Sequence, residues 1–296
     1  MAKLIPVKFK GITYPNGIKA EIVEESAPLW IPHFKRFAQR YSLHTDPSGR
    51  PQQYFPLLDQ FPTLRMAYVE GISQLWFNRQ WAEEFADFIV KIVNGNRPPL
   101  MIEIHPPYKD YCTSIEQFFE TYRVFEGRIS SSYFGTEILI ENRYGTPYKR
   151  SPFLISSYAD VVNLCNHLEK TELGLALVLD LPQLLDQIGM PSVTIALLKD
   201  MFNSLSLCRK KIKGIHLWGH RMVVNGHFRG VHREDLDGLF QGNKMLKAVF
   251  LRELFELLND DTARYFVPEV GGNSKEENDK KVKAIVDDLI SAGFVF

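Results

Sequence analysis

Cysteine is scarce in this chain, with Cys112, Cys165 and Cys208 the three among 296 residues. They are far apart and odd in number, and none forms a CxxC pair. A disulfide framework is excluded and a reducing compartment is indicated. Cys165 and Cys208 fall in helical patterns, where a free thiol packs as a small apolar side chain. Net charge is also missing, since Lys+Arg and Asp+Glu both number 35. No global field draws the chain to DNA or to anionic lipid, which argues against a nucleic-acid partner and leaves only local patches. No window approaches the roughly 20 uninterrupted apolar residues of a membrane helix. The start, Met1-Ala-Lys-Leu-Ile-Pro, lacks the apolar core of a signal peptide, so a cytoplasmic protein is expected. There is no internal repeat and no low-complexity segment. No strand-to-helix turn carries a GxGxxG or GxxxxGK[ST] fingerprint, which removes the nucleotide-binding sheets of that kind.

What is present is ordinary in bulk and unusual in detail. Apolar content is 45% and charged content 24%, as in soluble globular proteins. The length suits one large α/β domain or two average ones, and a single domain over 1–296 is expected. Four apolar runs each end in an ionisable residue: Glu137-Ile-Leu-Ile-Glu141, Leu175-Ala-Leu-Val-Leu-Asp180, Ile212-Lys-Gly-Ile-His216 and Tyr265-Phe-Val-Pro-Glu269. Each reads as a strand buried on both faces. If the strands lie side by side in a parallel barrel, the four groups meet at one rim. Glu, Asp, His and Glu together suit Mn²⁺, Mg²⁺, Zn²⁺ or Co²⁺.

Strand and helix patterns alternate after residue 60. Strands are expected at 64–70, 100–105, 137–142, 175–181, 212–218 and 264–270. Helices are expected near 78–94, 114–129, 157–170, 183–188, 192–207, 243–258 and 275–292. Repeated strand-then-helix units imply a parallel sheet covered by helices. Charged groups at several strand ends favour a closed (β/α)8 TIM barrel over an open sheet. In the first 60 residues, Val7–Tyr14 alternates like a strand and Asn16-Gly17 is a hairpin signal. Ile18–Val23 then returns antiparallel, as a hairpin that either decorates the barrel or holds its first two strands. A helix near 27–42 and a loop over 44–61 follow.

Several residues carry a structural reading beside the chemical one. Glu141 opens Glu-Asn-Arg143, a solvated turn or a ligand able to move protons. Asp180 interrupts an apolar run, so it needs a charged partner, either a metal or an Arg. His216 is a core histidine or a ring-nitrogen ligand. Glu269 starts a helix N-terminus or faces a ligand, with Gly271 and Gly272 allowing close approach. His105, before Pro106-Pro107, is presented at the rim as a fifth ligand or a donor to substrate. The loop 218–236 is the densest cationic cluster, with His220, His227, His232, Arg221, Arg229 and Arg233. It is either solvated or recognises an anionic or polyhydroxylated substrate. Trp76 and Trp218 offer a face to a sugar ring, although buried packing is the safer reading.

These residues, over roughly 64–292, resemble the xylose-isomerase-like TIM barrels. That superfamily includes sugar isomerases, ketose epimerases, related dehydratases and apurinic-site endonucleases. The resemblance rests on Ile-Leu-Ile-Glu141-Asn-Arg, Leu-Val-Leu-Asp180, Gly-Ile-His216-Leu and Val-Pro-Glu269-Val in the family's order. It implies that Glu141, Asp180, His216 and Glu269 bind one divalent metal, and that Glu141 and Glu269 are the acid/base pair. His105 matches a strand-end His of the family. Three departures stand out. Gln183 replaces the His that many relatives carry three residues after the Asp. Strand 64–70 supplies no His, unlike the endonuclease branch. Asn225-Gly-His227 matches only part of that branch's Asp-x-His.

The expected function is therefore metal-dependent isomerisation or epimerisation of a sugar or related hydroxy-carbonyl compound through an enediolate. Arg143, His105, His220, His227, Arg229 and His232 would hold the substrate. The competing readings are a metal-dependent phosphodiesterase of the apurinic-endonuclease kind, a dehydratase, and a non-catalytic sugar- or partner-binding barrel. Barrels of this size often form homo-oligomers, although nothing in the sequence marks an interface.

Overall fold

The computed structural model describes residues 1–27, 36–45, 56–69, 74–144, 151–220, 222–223, 227–228 and 232–296, with backbone only at 67–69, 222–223 and 227–228. The strands are β1 (Lys3–Lys8), β2 (Ile22–Ala27), β3 (Tyr41–Thr45), β4 (Met101–Ile104), β5 (Glu137–Glu141), β6 (Leu175–Asp180), β7 (Ile212–Leu217), β8 (Met222–Val223), β9 (His227–Phe228) and β10 (Ala263–Pro268). Eight of them close into a parallel barrel in the order β1-β10-β7-β6-β5-β4-β3-β2, while β8 and β9 form an antiparallel ribbon after β7. The helices are α1 (Pro62–Val69), α2 (Arg79–Val93), α3 (Ile115–Ser132), α4 (Tyr158–Leu168), α5 (Leu181–Ile188), α6 (Ile195–Leu205), α7 (Leu236–Leu239), α8 (Lys244–Leu258) and α9 (Lys275–Ser291). The chain has the (β/α)8 architecture that the strand-end pattern implied.

Local chemistry explains where the helices start. Asn78, Ser114, Asp180, Thr194, Asn243 and Ser274 each accept a hydrogen bond from a backbone N–H in the first turn of the helix they precede. Each such cap contributes about 1 kcal/mol relative to alanine. No described helix is long and apolar enough to cross a membrane.

The chain divides into two compact units. The first comprises Met1–Val23, Ser157–Val162 and Val178–Phe296. In it β1 runs along β10 from Lys3 opposite Ala263 to Pro6 opposite Phe266, and β10 along β7 from Tyr265 opposite Gly214 to Pro268 opposite Leu217. Arg264 is fully buried at the start of β10. Its guanidinium donates to both Asp260 oxygens at 2.7 Å and to the carbonyls of Ile212, Leu258, Thr262 and Arg209 at 3.0–3.2 Å. That staple joins the amino-terminal ends of β7 and β10 to the end of α8. Past β7, Gly219 exchanges two backbone hydrogen bonds with Glu234, and a Cβ there would lie 1.9 Å from the Asp235 carbonyl oxygen. Only glycine fits that approach.

The second unit comprises Glu24–Ser156 and Asn163–Leu177. Here β3 pairs with β4 (His44 opposite Glu103), and β4 pairs with β5 (Ile104 opposite Ile140). Its core is aromatic. Trp76 lies 4.8 Å from Trp81, 5.2 Å from Phe118 and 5.3 Å from Phe125 between ring centroids, and Phe85 stacks on Phe125. Such pairs add about 0.5–1.5 kcal/mol each beyond the area they bury. Trp76 is held by this cluster at φ 48°, a left-handed backbone that a bulky residue rarely adopts.

Four expectations are corrected. Residues 64–69 are not a strand, since 62–69 form α1, and residue 70 lies outside the described residues. Pro62 opens that helix, Glu84 accepts from the Thr63 and Leu64 N–H groups, and Leu64 is buried while Met66 is 48% exposed, a helical rather than alternating pattern. The Asn16-Gly17 turn exists, with positive φ at both residues and a hydrogen bond from Ile18 N–H to the Pro15 carbonyl. It leads not to a hairpin but to β2, which pairs parallel to β1 at Val7 opposite Ile22, so the segment holds the first two barrel strands. Of the helix expected near 27–42, residues 28–35 lie outside the described residues and Tyr41–Thr45 is β3; the loop expected over 44–61 lies outside them at 46–55 and is a 3-10 turn at Pro56–Gln60.

The Arg264 staple is testable. Asp260→Asn leaves a buried guanidinium without its counter-charge, so a loss of roughly 3 kcal/mol is expected in urea denaturation. The hydrogen bond from Arg264 holds the Asp260 carboxyl at about 2, below its ordinary 3.8. Its contribution is full above pH 3.8 and is lost as the pH falls towards 2. An unchanged midpoint in the variant would remove the staple's role.

Candidate metal centre

The ionisable groups at the strand ends are buried. Glu141, Asp180, His216 and Glu269 are all under 5% exposed, as are Glu103 and His105. Burying a carboxylate is expensive unless donors or a cation face it, so the arrangement around each one is informative.

In the first unit, Asp180 ends β6 and caps α5. It accepts from the Gln183 N–H at 3.1 Å, the Gln183 side-chain amide at 2.7 Å and the Trp218 indole N–H at 3.1 and 3.2 Å. A carboxylate oxygen of Asp180 lies within 4.8 Å of a His216 ring nitrogen. His216 Nδ1 in turn lies 3.5 Å from Glu269 Oε1, and His232 Nδ1 lies 3.7 Å from Glu269 Oε2. Three of the four sequence-derived ligands thus come together here. Trp218 is buried, with its ring 4.1 Å from that of His232 and 4.7 Å from that of His220. His220 is itself buried, with Nε2 2.6 Å from Asp186 Oδ1 on α5. His227 is described only in backbone, in β9, and Arg229 lies outside the described residues.

In the second unit, Glu141 ends β5. Its Oε2 lies 3.2 Å from Nε2 of His105 and 3.2 Å from Nε2 of His44. One ligand atom from each of these three residues fits within a 4.8 Å group, an arrangement able to hold a metal. The two imidazoles are 4.9 Å apart, edge to face. Their protonation is driven apart. For His44 burial opposes the charge, but the Glu141 hydrogen bond and the Glu24, Glu141 and Glu103 carboxylates prevail and raise its pKa to about 10. For His105 burial prevails, aided by the charges of His44 and Arg143, and its pKa falls. Arg143 is half-buried, its backbone N–H fixed to the Ile155 carbonyl at 2.9 Å.

His44 was not singled out by the sequence. Its strand, Tyr-Ser-Leu-His-Thr, has five residues with polar side chains at alternate positions, and its neighbours read as a helix. Trp218 and Gln183 were likewise missed as donors to Asp180, since neither side chain carries charge.

The solved structures agree on architecture. AsfvAP, solved as AsfvAP:AG, aligns over 85% of this chain and 85% of its own at 14% identity and TM-score 0.51. D-psicose 3-epimerase with D-tagatose, from Clostridium cellulolyticum H10, aligns over 99% and 100% at 10% identity and TM-score 0.51. What these structures share with this chain is the (β/α)8 barrel. A xylose isomerase domain protein from Planctomyces limnophilus aligns over 98% of this chain and 97% of its own at 12% identity and TM-score 0.47. No protein-family model and no curated protein matches the sequence.

The Glu141–His44 pair gives a direct prediction. In the metal-free protein His44 should titrate near pH 10 by NMR, and Glu141→Gln should return it towards 6.5. A His44 midpoint near 6.5 in the unsubstituted protein would refute the pairing.

Proposed function

We propose that the chain is a divalent-metal-dependent isomerase or epimerase of a sugar or related hydroxy-carbonyl compound. The observation that carries this reading is the convergence of Asp180, His216 and Glu269, buried at the ends of consecutive barrel strands, with Glu141 ending the strand next in the barrel order to that of Asp180. Glu141, Asp180, His216 and Glu269 would hold one ion. Their carboxylate and imidazole donors fit Mn²⁺, Mg²⁺, Zn²⁺ or Co²⁺, and a dication offsets the cost of burying three carboxylates. When bound, such an ion supplies Lewis-acid stabilisation to the carbonyl and neighbouring hydroxyl oxygens of the substrate.

The remaining work falls to the chain's own side chains. Glu141 and Glu269 form the acid/base pair. One removes the proton alpha to the carbonyl; the other returns it to the opposite face or to the adjacent carbon. Arg143, His105, His220, His227, Arg229 and His232 are the groups proposed to hold the substrate, and of these His232 is the nearest described neighbour of Glu269. That D-psicose 3-epimerase shares the barrel supports a carbohydrate-like substrate. Three buried free thiols fit a reducing, cytoplasmic setting.

A phosphodiesterase of the apurinic-endonuclease kind is the second reading. What favours it is His44, which joins His105 and Glu141 into a second three-ligand group, together with the shared fold of AsfvAP. Elemental analysis separates the two: about one metal per chain without nicking of abasic DNA supports the isomerase, while two or three with nicking supports the nuclease.

In a screen of ketoses and sugar phosphates, Glu269→Ala should abolish turnover with circular dichroism unchanged. Full activity of that variant on an identified substrate would sink the acid/base assignment.

A further inference from the structure

His105 ends up with every polar group of its backbone claimed by one short segment. Its N–H donates to Gln74 Oε1 at 2.7 Å, and its carbonyl accepts from the Trp76 indole N–H at 2.9 Å. Gln74 and His105 are both buried, at 2% and 0% exposure.

The orientation of the Gln74 amide is fixed from both sides. Oε1 faces a backbone N–H, which can only donate, so this atom must be the oxygen. Nε2 lies 2.6 Å from Thr45 Oγ1, and Thr45 Oγ1 lies 2.7 Å from the Glu103 carbonyl oxygen. The carbonyl can only accept, so the Thr45 hydrogen is committed to it. Thr45 Oγ1 must then accept from Gln74 Nε2. A flipped amide would break both bonds at once.

The same Nε2 faces His105 Nδ1 at 3.4 Å. An amide NH₂ presents only hydrogens, so a hydrogen on Nδ1 would meet another hydrogen. Nδ1 must carry a lone pair, which places the ring proton on Nε2, 3.2 Å from Glu141 Oε2. Geometry alone therefore excludes the Nδ1–H tautomer and the doubly protonated ring.

We propose that Gln74 is a positioning residue that locks His105 in the Nε2–H form, with that nitrogen 3.2 Å from Glu141 Oε2, so that His105 presents a donor in the site and is not a metal ligand. A ligating imidazole must point a lone pair at the ion, and this ring has its lone pair turned to Gln74 instead. The catalytic meaning rests on the isomerase reading above; the tautomer does not, since it is measured without substrate.

The test is two-bond ¹H–¹⁵N correlation NMR on the full chain with ¹⁵N-labelled histidine, with His105→Gln identifying the signal. The expected result is an unprotonated Nδ1 and a protonated Nε2, unchanged on adding zinc. Gln74→Glu places an acceptor against Nδ1 and should invert the tautomer. A protonated Nδ1 in the unsubstituted protein, or a zinc-induced ligand shift at its Nε2, overturns the proposal. So does a folded Gln74→Glu variant that keeps the Nε2–H form. If Gln74→Glu does not fold, the spectrum of the unsubstituted protein decides alone. Absence of turnover on every ketose would remove the isomerase reading and leave the tautomer standing.

Discussion

Burial of charge at the carboxyl ends of the strands is the constraint that organises this protein. Glu141, Asp180 and Glu269 sit where an apolar strand would ordinarily stop, nearly out of reach of water. Each needs compensation of several kcal/mol. The chain supplies part of it with directional donors: the His44 imidazole on Glu141, and an indole and an amide on Asp180. The indole and the amide orient Asp180 without neutralising it, which would suit a group that meets a cation.

The donors are themselves held by structure far from the chemistry. Trp76 is wedged among Trp81, Phe85, Phe118 and Phe125, and from there reaches the His105 carbonyl. Gln74 and Thr45 complete that support through two more hydrogen bonds. In the other unit, the loop after β7 is tied back by the Gly219–Glu234 bridge, and Lys281 on α9 pairs with Glu234 and Asp235. On the isomerase reading, a loose site would cost catalysis more than stability, because a misplaced acid or base no longer reaches its proton.

The two functional readings meet at His44. With Glu141 and His105 it forms a group that a metal could occupy, which favours a multi-metal site. The raised pKa of His44 means that, without an ion, it is a cation paired to Glu141. A metal taking its place would have to displace a proton. The amide of Gln74 bears on the same point from the other side, because it turns the His105 lone pair away from Glu141.

The order of residues alone was enough to specify the barrel and the ends of its later strands. Strands such as Leu175–Asp180 and Ile212–Leu217 are apolar on both faces, and a single ionisable residue at the end of such a run can be read without knowing its neighbours. The Asn16-Gly17 turn acts on the chain next to it and is legible for the same reason, although the parallel pairing of the strands it joins is not. Only folding settled β3, whose five residues carry too little periodicity to outweigh the helical pattern before them. Folding also settled the partners of each site residue. Gln74 meets His105 across 31 positions and Trp218 meets Asp180 across 38. A neutral side chain shows its hydrogen-bonding role only when folding places it against an atom that must donate or must accept.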